Sequence, residues 1–348
     1  MEVLDGARGQ KHGEAIAKKL SLSIVVPVYN SEKSLPQLAA RLAQVLPEIA
    51  DRYELILVND GSRDDSWTVV QKLSTQYDWA RGINLMRNYG QHNALLCGIR
   101  AARFEIVVTM DDDLQHPPEE IPHLLRELES GFDVVYGAPQ TQNHSFLRTL
   151  ASEATKIVLQ NAMGADVARR ISAFRAFRTH LRRAFADYGG SFVSVDVLLT
   201  WGTSRFKAVF VEHNRRAVGE TNYTLRKLVA HAINMITGFS VLPLQAASVV
   251  GFAFTIFGIA ILIYVVGRYV WDGGSSVPGF PFLAAMIAIF SGVQLFSLGV
   301  IGEYLARMYA RSMNRPTYQI LESLGATNDA SETVAPQTEA SAAAKSAR

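Results

Sequence analysis

The 348-residue chain has a single cysteine, Cys97, which excludes an intrachain disulfide framework and any cysteine zinc site. Alone in an apolar stretch, it reads as an inert small hydrophobe that suits a cytosolic setting. Charge of one sign is also missing: 34 Lys and Arg against 32 Asp and Glu leave a net +2. A nucleic-acid surface would want a basic surplus, so nucleic acid is not an expected partner. His92, His116, His123 and His213 form no close-spaced pair, which leaves no histidine zinc site and reads them as solvated or hydrogen-bonded residues. No Ser-His-Asp constellation and no internal repeat can be picked out. Residues 1–20 are polar and of mixed charge, without the apolar segment of a secretory signal, and are expected to be flexible.

Apolar sequence is plentiful, at 49% of residues, and it is concentrated near the C-terminus. Leu244 to Val266 and Phe280 to Ile301 are stretches of 23 and 22 residues without a formal charge. A bilayer core of about 30 Å needs about 20 helical residues, so each can span it. The connector DGGSSVPG is short and turn-rich, which predicts a helical hairpin over 244–306. Arg226, Lys227 and His231 precede the first span, and Arg307, Arg311 and Arg315 follow the second. The connector itself has no Lys or Arg, so the positive-inside rule places both outer flanks and the large domain in the cytoplasm. Residues 224–243 mix basic and apolar positions at helical spacing, the pattern of a juxtamembrane amphipathic helix lying on the membrane. A helix packed on the domain would show the same pattern. The cytoplasmic tail, 307–348, is expected to be disordered from about 325, where Ala, Ser, Thr and Glu dominate.

Upstream, LSIVVPVY, YELILVN, GINLM, FEIVVTM and FDVVYG are short, β-branched and apolar nearly throughout, as in strands buried on both faces of a parallel sheet. Helical stretches alternate with them, so a doubly wound α/β domain is expected over 21–223, with ligands bound beyond the carboxyl ends of its strands. The polar signals fall there. Three consecutive aspartates follow FEIVVTM, with Asp111 and Asp113 expected on one side and Asp112 on the other. Such a cluster needs a positive partner; Mg²⁺ or Mn²⁺ with a diphosphate would serve, and Gln115 could add an oxygen. A solvated acidic turn capping the helix at Pro117 is the alternative. The first strand ends in PVYN (27–30) and the second in NDGS (59–62), where Tyr29 can stack on a base and Asp60 can accept hydrogen bonds from base or ribose; Asp60-Gly61 can also be simply a turn.

LSIVVPVYN, LILVNDGSRDDS, NLMRNYGQHNALLCGI and MDDDLQHPPEEIP resemble, in order and spacing, the inverting glycosyltransferases of family 2. SAFRAFR, HNRRAVGETNY, TGFSVLPL and GVIGEYLARMYARSMNRPTY narrow the resemblance to the polyprenyl-phosphate glycosyltransferases. That group includes dolichyl-phosphate mannose synthase and the bacterial undecaprenyl-phosphate glucosyl- and aminoarabinose transferases, and the bacterial members are most similar. The resemblance covers about 22–320 and implies a GT-A-type, mainly parallel sheet and an enzyme. That enzyme would move one sugar from a nucleotide-sugar, UDP-linked in the bacterial members, to undecaprenyl phosphate at the inner membrane. Carried over by position, Asp113 and Gln115 would hold the metal, with Asp111 against the nucleotide and Pro27, Tyr29, Asp60 and Asp112 in or beside its pocket. Arg148 and Ser152 match a pair that grips the acceptor phosphate; one helical turn apart, guanidinium and hydroxyl share a face. Arg216 would reach a donor or acceptor phosphate, or else a lipid headgroup. Arg175 matches a family arginine, and burial against an acidic partner would equally explain it. Relatives of the bacterial type often self-associate, so a homo-oligomer is an expected partner state.

Three positions depart from the family pattern. Ser31 stands where many relatives have Glu, Ala138-Pro139-Gln140 stands where they carry an Arg, and Arg169 stands where they often have Asp. Asp166 or Asp196 could replace that last carboxylate in space. A catalytically inactive, membrane-tethered nucleotide-sugar-binding scaffold is therefore the alternative function. A processive polysaccharide synthase is a further one, disfavoured by the lack of a Q-x-x-R-W motif and by having only two spans.

Overall fold

The computed structural model describes residues 20–139, 159, 163–190, 192–214, 237, 239, 241–271 and 279–325. Four parallel strands form the centre of an eight-stranded sheet: β1 (Ser21–Val28), β2 (Arg52–Asn59), β3 (Ala80–Leu85) and β4 (Ile106–Thr109), in the order β4-β1-β2-β3. Every residue of β1 is buried, because helices cover both faces. Strand alternation sorts the side chains: Leu22, Ile24, Val26 and Val28 face α1 (Leu35–Ile49), α2 (Ser66–Gln76) and α4 (Ile121–Glu129). Val25, Ile56 and Val58 face α3 (Gln91–Ala101) on the other side. In α1 the buried residues Leu35, Leu38, Ala39, Leu42 and Leu46 recur at helical spacing, so one stripe meets the sheet. On α3, Gly98 permits the closest approach; a Cβ there would stand 2.3 Å from Val25 Cγ1.

Beyond β4 the sheet continues as β6 (Arg175–Arg178), β5 (Val134–Pro139) and β7 (Phe206–Val211), with β6 antiparallel to both neighbours and β5 parallel to β7. The short helices α5 (Ala165–Ala168) and α6 (Val195–Thr200) precede and follow β6. The other edge is closed by β8 (Ile320–Leu324), which pairs antiparallel with β3. The sheet is thus mixed but mainly parallel, as expected for a GT-A-type domain. Its eighth strand comes from beyond the apolar helices, which a domain boundary at 223 and a separate tail do not allow for.

One buried carboxylate ties the far ends of the strands together. Glu54, 1% exposed, accepts from Ser23 Oγ (2.7 Å), Arg81 Nη1 (2.7 Å), Arg103 Nε (3.0 Å) and the Arg103 N–H (2.8 Å). Burial alone would raise its pKa, but these donors outweigh burial and hold it below the usual carboxylate range. Its stabilisation is therefore present above the unfolded value of about 4.3 and is lost as pH falls through the lower folded value. Glu54→Gln is expected to cost about 3 kcal/mol by leaving guanidinium charge uncompensated, read as a lowered Tm at pH 7 whose gap from wild type closes in acid.

The helices α7 (Leu242–Trp271) and α8 (Phe280–Ser312) are both longer than the uncharged runs within them. The most apolar 18 residues within Leu242–Arg268 have a mean hydropathy of 2.7 and those within Ile289–Ser312 of 1.4, and each helix could cross a membrane. Phe252, Ile263 and Leu295 point outward with about two thirds of their surface exposed, unlike the face of a soluble core helix. After α8 the chain returns to the sheet. The Met86 N–H donates to Gln319 O (3.0 Å), Trp67 Nε1 donates to Glu322 Oε2 (3.2 Å), and Arg100 lies 5.8 Å from the Tyr318 ring. Tyr318 also meets Cys97, whose thiol burial pushes up to about 12, consistent with an inert residue.

Candidate active site

The carboxyl ends of β1, β2 and β4 and the loop before α3 enclose a cleft of about 240 Å³. Pro27, Val28 and Tyr29 line it from β1, Asp60 from β2, and Asp111, Asp112 and Asp113 from the turn after β4. The structure therefore brings together Pro27, Tyr29, Asp60, Asp111 and Asp113, with Asp112 beside them. Tyr29 keeps 44% of its surface exposed, which leaves its ring open to stack on a base.

Asp60 turns inward. Its two oxygens accept from the N–H groups of Tyr89 (2.7 Å) and Gly90 (2.8 Å), and burial raises its pKa against those donors. The NDGS turn thereby clamps the Arg87–Gln91 loop. Gly61 is required for this contact: its φ is +64°, and a Cβ would lie 2.5 Å from the Asn88 nitrogen. Asn88, Gly90 and Gln91 join the lining as a result, and Gln91 Nε2 donates to Asp111 Oδ1 at 2.7 Å. These three are site residues that the motif reading used only as resemblance. The available signal was their position on a further β-to-α crossover of the same sheet.

Strict alternation does not hold for the three aspartates, because β4 ends at Thr109 and they lie on the turn beyond it. All three reach the cleft, and Leu114 then adopts a left-handed φ of +62°, an uncommon conformation for a bulky residue. Asp112 nevertheless has its own partners: Oδ2 accepts a short hydrogen bond from Ser31 Oγ and one from the Tyr29 N–H at 3.3 Å. Burial, with the neighbouring Asp113 charge, pushes its carboxyl up to about 6. Ser31, a departure from the family pattern, thus meets Asp112 in one contact. Gln115 is not among the lining residues; its N–H donates to Asp113 Oδ1 (3.1 Å) and its carbonyl accepts from the Asn214 N–H (3.0 Å).

Among the described residues no three His, Cys, Asp or Glu side chains converge into a metal cage. Two hard carboxylates, Asp111 and Asp113, on one open cleft fit a cation that takes its remaining ligands from a diphosphate and water, as Mg²⁺ commonly does.

Arg175 lies behind the turn, 2% exposed. Its Nε donates to Thr109 Oγ1 (3.1 Å) and its Nη1 makes a short ion pair with Asp196, which also accepts from Tyr136 Oη at 3.0 Å. Burial would lower the arginine's pKa, but Asp196, Tyr136 and Asp111 together raise it, so the charge is kept. Asp196 therefore serves Arg175, while Asp166 and Arg169 lie on the surface. His116 is buried rather than solvated: it stacks on Phe174 (5.4 Å) and meets His213 edge-on (5.3 Å). Burial, with His213 and Arg175 nearby, lowers its pKa to about 4. His92 is hydrogen-bonded as expected, to the Val195 N–H. Arg148, Ser152 and Arg216 lie outside the described residues, as do Gln140, residues 1–19 and 326–348, and most of 224–240.

Residues 23–189 match the family model described as "Glycosyl transferase family 2", and the chain belongs to that family. Its relatives include the "Undecaprenyl-phosphate 4-deoxy-4-formamido-L-arabinose transferase" of Shewanella sediminis (strain HAW-EB3), 33% identical over 305 residues, covering 87% of this chain and 92% of that protein. The protein of the same name from Proteus mirabilis (strain HI4320) is 34% identical over 307 residues, covering 87% and 94%. Similar solved structures include glucosyl-3-phosphoglycerate synthase from Mycobacterium tuberculosis in complex with Mn²⁺, UDP and glucosyl-3-phosphoglycerate. It is 21% identical, with a TM-score of 0.47, over 63% of this chain and 78% of that one.

Proposed function

We propose that the protein transfers a single sugar from a UDP-sugar to undecaprenyl phosphate at the cytoplasmic face of the inner membrane, with inversion at the anomeric carbon. The observation that carries this reading is the acidic cleft on a domain whose sheet supplies strands both before and after two helices that could cross a membrane. The names of the relatives support the acceptor.

In this reading Tyr29 stacks on the base and the Asp60-clamped loop, through Asn88 and Gln91, shapes the floor under the diphosphate. Asp111 and Asp113 would hold Mg²⁺ or Mn²⁺, which when bound neutralises charge on the leaving diphosphate. Arg175 keeps a positive charge behind Asp111, and Gln91 fixes its orientation. Arg148 and Ser152 would grip the acceptor phosphate so that attack is effectively intramolecular, and Arg216 would contact a donor or acceptor phosphate. The acceptor is a phosphate monoester, largely anionic at pH 7, so its oxygen attacks without a general base. Arg169 at the position of a family Asp is compatible with that.

The test is transfer from radiolabelled UDP- and GDP-sugars into chloroform-extractable lipid, using purified full-length protein, undecaprenyl phosphate and Mg²⁺ or Mn²⁺. A mild-acid-labile labelled lipid that disappears with EDTA is the expected product. A donor that binds but yields no lipid product under any condition would replace this reading with the tethered scaffold.

A further inference from the structure

A second cavity, of about 390 Å³, lies where the catalytic domain meets the domain-side end of α8. Tyr188, Phe192 and Trp201 form its domain wall, and Tyr304, Arg307 and Arg311 face them from the helix. The aromatic wall is built rather than incidental. The Tyr188 and Trp201 rings meet edge-on at 5.5 Å, and Tyr188 Oη donates to Phe192 O at 2.6 Å. Trp201 stays half exposed despite its size. Arg307 and Arg311 are one turn apart and so share a helix face; Nη2 of Arg307 is steadied by Glu303 at 2.7 Å.

This cavity is separate from the donor cleft. Arg100, near the end of α3, donates to the Tyr188 carbonyl at 2.8 Å, whereas Gly90 and Gln91 at the start of α3 line the cleft. The two share no lining residue, and nine residues of helix put roughly 13 Å between those points. Aromatic side chains and arginines at the end of a membrane-crossing helix lie at headgroup depth, where guanidinium forks take phosphate oxygens.

We propose that the cavity binds the headgroup of an anionic glycerophospholipid, its phosphate held by Arg307 and Arg311 and its upper chain carbons against Tyr188, Phe192 and Trp201. The lipid would act as a wedge that fixes the catalytic domain on the bilayer. The proposal rests on the membrane reading of α7 and α8 and is independent of the sugar-transfer reading.

The test uses full-length protein in a mild detergent, titrated with phosphatidylglycerol and, separately, phosphatidylcholine, with bound lipid counted by native mass spectrometry. Neither donor nor acceptor is present, so a failed transfer assay leaves this result standing. One phosphatidylglycerol is expected to be retained in preference to phosphatidylcholine, and about tenfold more weakly by Arg311→Gln, the loss of one charge-assisted contact. Trp201→Ala should weaken it too, with UDP binding unchanged in both variants. Equal retention by wild type and both variants, or no preference for the anionic lipid, would overturn the proposal. One-for-one displacement by undecaprenyl phosphate would also overturn it, because the cavity would then belong to the acceptor.

Discussion

Asp196→Ala is expected to destabilise the protein by about 3–5 kcal/mol, because it strands a fully buried guanidinium without its counter-ion. Tyr136 loses its acceptor in the same change, while Arg175 keeps its hydrogen bond to Thr109, on the strand that leads to Asp111. Denaturant unfolding of the purified protein measures the loss. The double variant Arg175→Met/Asp196→Leu should recover most of it, since replacing both partners of a buried pair by apolar groups is often neutral. An Asp196→Ala protein as stable as wild type would show that Arg175 finds a partner elsewhere.

Asp113→Ala should reduce sugar transfer by about 100- to 1,000-fold. A cation held against the leaving diphosphate contributes several kcal/mol, and each 1.36 kcal/mol is a factor of ten in rate. Asp112→Asn should cost about tenfold at most, because the Asp112 carboxyl is already engaged by Ser31 and the Tyr29 N–H. Initial rates at saturating donor, with Mn²⁺ titrated, separate the two cases. An Asp112 variant as impaired as the Asp113 variant would move the metal role to the middle aspartate.

Much of this arrangement is legible in the amino-acid order. Continuous apolar runs mark β1, β2 and β4, since strands covered on both faces show no polar alternation, and the rims PVYN, NDGS and MDDD follow from where those runs stop. What is not legible depends on partners brought together by folding. Burial of Arg175 against an acid is among the readings the sequence allows, but RAFR does not read as a strand, and which acid it meets is not evident until Asp196, 21 residues later, is placed against it. Gln91 has no signature of its own; its role comes from the reach of its amide to Asp111. The ILESL of β8 is mostly exposed and carries too weak an apolar pattern to announce a strand, and its pairing partner lies more than 230 residues earlier.

That last strand has a consequence for how the molecule is made. Seven strands precede α7 in the chain and the eighth follows α8, so the sheet is interrupted in sequence by the apolar hairpin. As the chain leaves the ribosome, β1 to β7 can assemble first, with the outer edge of β3 still open. If the two helices cross a membrane as proposed above, Tyr318 and β8 reach that edge only when α8 returns the chain to the side of the domain. The closed edge of β3 would then report that return, because a chain left on the far side would leave β3 bare.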